Sequence, residues 1–363
     1  MKKIYFTVIN ELVYDQRMIR ICGTLSRQNY EVVLVGRQFK RAATLQSHPF
    51  QQVRLHCWFT KGKSLYIEFN IRLFFYLLFK KMDALCAIDL DTILPCYWVS
   101  RVKGIPRIYD AHELFCEMKE VRTRERIYRF WKKIERFAVP RFKLGYTVNL
   151  PIAQEFKKMY NVDYAIIRNI AVLNNPELQP VKTETFLLYQ GAVNEGRSFE
   201  TLIPAMQHID VPLMICGDGN FMQEVKRLVE KYNVKHKVIF KGKINPDALK
   251  KITPLATIGI TLFDREGMSN YYSLANRFFD YIHAGIPQLC ADYPVYREMN
   301  AQFEVAVLIS DLSSENIAKQ INILLADTAL YGKLCENCLA ARAVYNWQQE
   351  EKKLVEFYNN LLQ

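Results

Sequence analysis

The 363-residue sequence is poor in the residues that build disordered or fibrous chains, with 14 glycines and 13 prolines spread along it. Low-complexity linkers and collagen-like repeats need far more of both, so those classes are excluded. A disulfide framework is missing as well. Nine cysteines, an odd number, stand mostly alone in apolar runs, and only Cys335 and Cys338 form a C-x-x-C. With no second pair and no nearby histidine, that pair reads as two thiols on a helix rather than a zinc or redox centre. Reduced thiols point to the cytosol. The amino-terminal stretch meets Glu11 and Asp15 before any long apolar run and has no small-residue cleavage site, so no signal peptide is expected. There is no Gly-rich P-loop ending in Gly-Lys-Ser/Thr. There is no G-x-G-x-x-G with an acid about 20 residues on, which argues against a dinucleotide-dependent oxidoreductase.

What is present is a globular profile, half apolar and about a quarter charged. At about 150 residues per domain, the length suggests two domains. The charge is uneven. Residues 1–170 hold 30 basic and 15 acidic side chains, a balance of +15, and the remainder comes to −3. A basic half attracts phosphate-bearing partners: nucleic acid, an anionic membrane surface or a lipid-linked phosphate. No helix-turn-helix, RNA-recognition or zinc signature accompanies it, so nucleic acid is not the expected partner. The run from Leu65 to Phe79 is apolar except for Glu68, Asn70 and Arg72, and Lys80 and Lys81 follow it. It is too short to span a bilayer. It reads as a core helix, with a patch resting peripherally on the anionic inner membrane leaflet as the alternative.

Short β-branched apolar runs alternate with helical patterns. Runs at Lys3–Ile9, Glu31–Gly36, Ala84–Leu90, Arg107–His112, Gly145–Asn149 and Ala165–Asn169 read as strands, with a helix near Asp15–Gln28. The pattern pauses over Asn169–Glu184, then resumes at Phe186–Gly191, Pro212–Gly217, Lys237–Gly242, Ile258–Phe263, Gln288–Cys290 and Ala306–Ile309. Buried strands separated by helices imply parallel sheets covered on both faces. The expected fold is α/β, with two Rossmann-like doubly wound parallel-sheet domains facing a cleft. The expected boundaries are 1–170, a linker at 171–184, a second domain at 185–346, and a last helix over 347–363 crossing back to the first domain. In such sheets ligands bind beyond the carboxyl ends of the strands, so residues just after strands are the candidates.

Several follow strands directly. Gly191 to Arg197 leads from a strand into a helix. Gly191 and Gly196 allow backbone amides near an anion, and Arg197 adds a fork-shaped charge suited to phosphate. Gly217-Asp218-Gly219 reads as a turn, or as the wall of a nucleotide pocket. Between Tyr271 and Pro287, Phe278, Phe279 and Ile282 form an apolar stripe. Asp280 lies off it and can accept two hydrogen bonds from a ribose diol, while Asn276 and Arg277 open the helix where a diphosphate could sit. In the first half, His112 follows Asp110 and precedes Glu113, a setting for hydrogen-bond donation or proton transfer near neutral pH. Asp89 and Asp91 end another strand and could grip a sugar hydroxyl. Two carboxylates support a metal only weakly. Asp15, Arg17 and Arg20 open the first helix, either as a solvated face or as a site for an acceptor phosphate.

In this order the segments resemble the GT-B glycosyltransferases, specifically the family 4, group 1-like enzymes of bacterial surface polysaccharide synthesis. The resemblance runs from Val13–Met18 and Val35-Gly36-Arg37 through Tyr109–Glu113, Gln190–Arg197, Gly217–Gly219, Phe240–Lys243 and Ser273–Pro287 to Trp347. It implies a cytoplasmic enzyme that moves a sugar, hexosyltransferase-like, from a nucleoside-diphosphate sugar to a glycan or lipid-linked acceptor, with retention of configuration and neither cofactor nor metal. It places Asp280 on the ribose, Arg277 and Arg197 on the diphosphate, Lys243 beside the base, His112 on the sugar or its phosphate, and Glu266 beside the sugar. The acceptor side falls to Asp15, Arg17, Asp89, Asp91 and Glu113. The sequence departs from the pattern at Tyr272, where the first glutamate of the paired-acid motif would stand, and at Ala192 and Glu195 in place of a basic pair. A sugar-nucleotide epimerase of the same fold is the nearest alternative.

Overall fold

The computed structural model describes all residues except 41, 175–183 and 363. Residues 175–183 of the expected linker therefore lie outside the described residues. The chain divides into two compact units, Met1–Asn169 together with the chain end from Glu350, and Ile170–Gln349.

The first unit holds strands β1 (Lys3–Thr7), β2 (Glu31–Arg37), β3 (Gln51–Leu55), β4 (Ala84–Ile88), β5 (Arg107–Ala111), β6 (Leu144–Thr147) and β7 (Ala165–Ile166). They form one sheet in the order β3-β2-β1-β4-β5-β6-β7, and each neighbouring pair is parallel. The helices are α1 (Gln16–Arg27), α2 (Gly62–Leu78), α3 (Ile93–Lys103), α4 (Lys119–Arg122), α5 (Glu125–Ala138) and α6 (Leu150–Tyr160). Strand β4, Ala-Leu-Cys-Ala-Ile, is buried throughout, as a strand covered on both faces must be. Helix α1 starts where it does because the Asp15 carboxylate accepts the Met18 amide at 3.1 Å. The sequence reading did not anticipate β3. Its Gln51 and Gln52 sit at the sheet edge, where one side of the strand needs no apolar partner.

The second unit holds β8 (Leu187–Gln190), β9 (Leu213–Cys216), β10 (Val238–Gly242), β11 (Ile258–Thr261), β12 (Gln288–Ala291) and β13 (Ala306–Ile309), parallel in the order β10-β9-β8-β11-β12-β13. Its helices are α7 (Phe199–Ala205), α8 (Met222–Lys231), α9 (Pro246–Ile252), α10 (Met268–Tyr271), α11 (Asn276–Ala284), α12 (Pro294–Gln302), α13 (Ser314–Ala326) and α14 (Thr328–Ala341). Cys335 and Cys338 both lie on α14 as free thiols. The last helix, α15 (Trp347–Leu362), has its larger part in the first unit. There Tyr358 packs its ring against Phe6 and Tyr146, and Glu350 accepts the Arg168 amide at 2.9 Å. Both sheets are doubly wound α/β layers. The strand order reverses beside β1 and β4 in one and beside β8 and β11 in the other, so the carboxyl ends of these strands are where a ligand finds an opening.

Candidate functional site

In the second unit the loop after β8 is shaped by close backbone approach. Gly191 has φ of 122°, a conformation open to glycine. A Cβ on Gly217 would lie 1.8 Å from the Gly191 carbonyl oxygen, so the two turns can nest only if position 217 is glycine. Gly219 does the same against Val193. The loop amides expected to face an anion are partly used in this nesting. Gly191 donates to Cys216, Val193 to Asp218, and Glu195 to the Asn220 side chain. The Gly191 amide is thus spent within the loop, and Gly217 and Gly219 form the turn, one of the two readings of their segment. Asp218 closes its own turn by accepting the Gly219 amide at 2.8 Å.

Two of the candidate cations share one aromatic ring. The Arg197 and Arg277 guanidinium groups lie 4.6 Å and 4.7 Å from the same Phe263 ring. Arg197 donates to Asn270 Oδ1 at 3.1 Å. Arg277 is 7% exposed, and its Nη1 donates to the Tyr189 hydroxyl at 3.2 Å and to the Gln190 carbonyl at 3.3 Å. Its Nε and Nη2 are buried without a hydrogen-bond partner. Among the described residues no carboxylate pairs with it. A guanidinium keeps its charge in any protein, so this is a buried cation with unsatisfied donors, an arrangement that calls for an anion. Asp280, three residues along α11, accepts from Gln190 Nε2 at 2.8 Å, and Thr253 donates to the same glutamine's Oε1 at 2.8 Å. Gln190 thus joins Arg277 and Asp280 at the end of β8. Asn276 and Lys243 are exposed, and Glu266 is exposed on the loop after β11. The carboxylate brought nearest the Gly196 turn is Asp264. It accepts from Asn270 Nδ2 at 3.0 Å, and both its oxygens lie 3.3 Å from where a Gly196 Cβ would be.

A surface depression of about 560 Å³ lies at Arg297, Asn300 and Phe303. It belongs to the connection entering β13 at its amino end, the wrong end of the sheet for this chemistry.

In the first unit, β4 and β5 bring Asp89, Asp110 and His112 together. The His112 amide donates to Asp89 Oδ1 at 3.0 Å. Its Nδ1 lies 3.3 Å from Asp89 Oδ2 and its Nε2 lies 3.3 Å from Asp110 Oδ2. Burial opposes the charge on the ring, but Asp89 and Asp110 outweigh it and lift the pKa to about 9. His112 is therefore an imidazolium at neutral pH. Of the two roles expected of it, hydrogen-bond donation and proton transfer, the charged ring suits the first. Asp89 sits at φ 53°, ψ −178°, a region almost reserved for glycine, and such strain gathers at functional sites. Burial and the neighbouring Asp89 and Glu113 raise Asp91 to about 8, so its carboxyl is largely protonated at pH 7.

Two acceptor candidates take other roles. Arg17 is 2% exposed and forms a paired contact with Asp110, Nε to Oδ2 at 3.1 Å and Nη2 to Oδ1 at 2.8 Å, and Nη1 donates to the Ile167 carbonyl at 3.0 Å. With its fork occupied, it is not placed to bind an acceptor phosphate. Asp15 is the α1 cap. Among the described residues, no group of three His, Cys, Asp or Glu side chains could hold a metal.

Two sheets of this kind in one chain define the GT-B architecture of glycosyltransferases, and solved structures match it along nearly the whole length. Sucrose-phosphate synthase of Thermosynechococcus elongatus superposes with a TM-score of 0.81 at 16% identity, over 99% of each chain. HepE of Anabaena, in complex with UDP and glucose, superposes at 0.78 and 14% identity, over 99% of this chain and 100% of its own. WaaG, a glycosyltransferase involved in lipopolysaccharide biosynthesis, superposes at 0.76 and 14% identity, covering 98% of this chain and 99% of its own. Residues 174–341, nearly all of the second unit, match the family described as glycosyl transferases group 1. An uncharacterized glycosyltransferase of Methanocaldococcus jannaschii is 24% identical over 184 residues, 48% of this chain, and the chain spans about half of that relative, 45% of its length.

Proposed function

We propose that this chain is a glycosyltransferase that takes a sugar from a nucleoside-diphosphate donor held by the second unit and moves it to a hydroxyl of a glycan or lipid-linked acceptor held by the first. The observation that carries the reading is Arg277, a buried guanidinium with two unmatched nitrogen atoms beside Arg197 and the β8 loop. A diphosphate supplies the missing acceptors. Charge builds on its bridging oxygen as the bond to the sugar breaks, and fixed cations stabilise that charge without reorganising. Asp280, steadied by Gln190, is assigned to the ribose hydroxyls. Lys243 and Asn276 are assigned to the outer parts of the nucleotide, and Glu266 to the sugar. His112 is assigned as a charged hydrogen-bond donor to the sugar or its phosphate. Retention of configuration and transfer of a hexose are carried from the resemblance. The group 1 match does not favour the epimerase reading.

The test is a thermal-shift screen of nucleoside diphosphates and their sugars, beginning with UDP because HepE, of the same fold, is solved with it. A matching donor should raise the melting temperature, and product analysis should show sugar on an added acceptor. Arg197→Ala should lower turnover with little change in folding. Full activity in that variant removes the diphosphate assignment, and a product that is only free or epimerised sugar nucleotide revives the epimerase.

A further inference from the structure

Helix α2 carries two opposed apolar faces. Leu65, Phe69, Leu73 and Leu77 recur every four residues and are buried against the unit. Two residues further along each time, Ile67, Ile71, Phe75 and Phe79 recur at the same spacing, about 200° around the helix from the first row. This second row faces outward. Ile67, Ile71 and Phe75 are each more than half exposed, and Phe79 is 80% exposed. A helix packed on a sheet normally turns polar groups to water, and one that is apolar all round is normally enclosed. Here neither rule holds, so the outer row requires a covering.

The segment before the helix extends the surface. Trp58 is 75% exposed and Phe59 more than half. Their amides both donate to the Glu68 carboxylate at 2.9 Å, which holds the two aromatic residues on the helix. Arg72 neutralises Glu68 at 2.8 Å and lies over the Trp58 ring. The helix's one acid is thus consumed in presenting an aromatic pair. Charge around the row is of a single sign. Lys61 and Lys63 stand at one end of α2 and Lys80 and Lys81 at the other, all exposed. Adjacent α3 adds exposed Trp98 and Val102.

From this we infer that the α2 face lies flat on an anionic lipid bilayer. The apolar row runs along a helix of about 25 Å, and lysines at both ends can reach headgroups while the row enters the acyl boundary. Tryptophan at one end suits the interfacial layer. No helix among the described residues is long and apolar enough to cross a membrane. Charge complementarity selects lipid over a second copy of the chain, because two such faces would bring eight lysines together. The inference is independent of the sugar-transfer reading, and its test does not use activity.

The full chain is mixed with vesicles of phosphatidylcholine, alone or with about 30% phosphatidylglycerol, at about 0.15 M salt, and floated on a density gradient. Wild type should float with the anionic vesicles only. The double variant Ile71→Glu with Phe75→Glu should lose at least about tenfold in partitioning while keeping its melting temperature, since both positions face outward. Lys80→Ser with Lys81→Ser should weaken binding and its salt dependence without touching the apolar row, which keeps the test open if the first variant folds poorly. Absence of wild-type flotation, or equal flotation of the glutamate variant, overturns the inference. So does a wild-type dimer that the glutamate variant converts to monomer with no vesicle binding in either, because a second copy would then be the covering.

Discussion

Replacing Arg277 by methionine should separate stability from ligand binding, leaving the first nearly unchanged and removing much of the second. In the empty protein the guanidinium has two buried nitrogens without partners. Each unsatisfied buried donor costs about 1–3 kcal/mol. Against this stand the bonds to Tyr189 and Gln190, about 1–3 kcal/mol each for a charged donor, and stacking on the Tyr189 and Phe263 rings, about 1 kcal/mol. Methionine is unbranched and packs well between rings, so it keeps part of the contact and removes the buried charge. The two sides cancel to within about 2 kcal/mol, so the empty variant should stay close to the unaltered protein, within a few degrees in melting temperature. With a diphosphate bound, the lost charge-assisted bonds are worth about 3 kcal/mol or more, so affinity for UDP or its matching analogue should fall at least about a hundredfold. Differential scanning fluorimetry with and without nucleotide, backed by calorimetric titration, reads both effects on one sample. A variant that loses several degrees when empty yet keeps its nucleotide affinity would show that Arg277 is an ordinary structural cation, and the donor site would have to be sought elsewhere.

Arg17→Leu leaves Asp110 buried beside His112 with its strongest partner gone, and should cost about 3–5 kcal/mol in urea unfolding, far more than an acceptor contact on the surface would. The His112 charge should make stability fall with rising pH: the folded pKa is about 9 against an ordinary 6.5, so its contribution is complete below pH 6.5 and lost as pH climbs through 9. That contribution is on the order of 3 kcal/mol, and His112→Gln should flatten the slope between those limits in a pH series of unfolding curves. Gly217→Ala should force the β8 and β9 turns apart, costing about 1–3 kcal/mol and weakening nucleotide binding, unlike Gly332→Ala, whose added Cβ would meet nothing.

Much of the architecture is legible before any coordinates, because fully buried parallel strands announce themselves as unbroken apolar runs. β4 and β8 are read within two residues at each end. β3 is not, since an edge strand starting Gln-Gln carries no such run. The site divides along the same physical line. Groups that follow a strand can be found one at a time, and His112, Arg197, Arg277 and Asp280 were visible in that way. Their partners were not. The sequence itself sets Asp110 and Glu113 beside His112, but Asp89 reaches it from β4, 23 residues away, because parallel pairing sets Ile88 opposite Asp110. Arg17 finds Asp110 across 93 residues. Gln190, a lone amide at a strand end, carries no signal of the link it makes between Arg277 and Asp280. In α2 both apolar rows stand in the sequence, and only packing decides which is outward.

These partnerships also separate the two clusters by kind. The first unit encloses Arg17, Asp110, His112 and Asp89 as alternating charges, each within ion-pair distance of the next, although His112 Nε2 makes no aligned hydrogen bond. Such a set is suited to holding an imidazolium in one orientation, as a charged donor needs. The second unit encloses Arg277 with two nitrogen atoms unmatched and Arg197 beside it, while Asp280 accepts from Gln190. A protein that needed only stability at this position would turn Asp280 onto Arg277, three residues away on the same helix. Holding the acid apart from the cation leaves the positive field open, and an anion with several oxygens is the ligand that completes it.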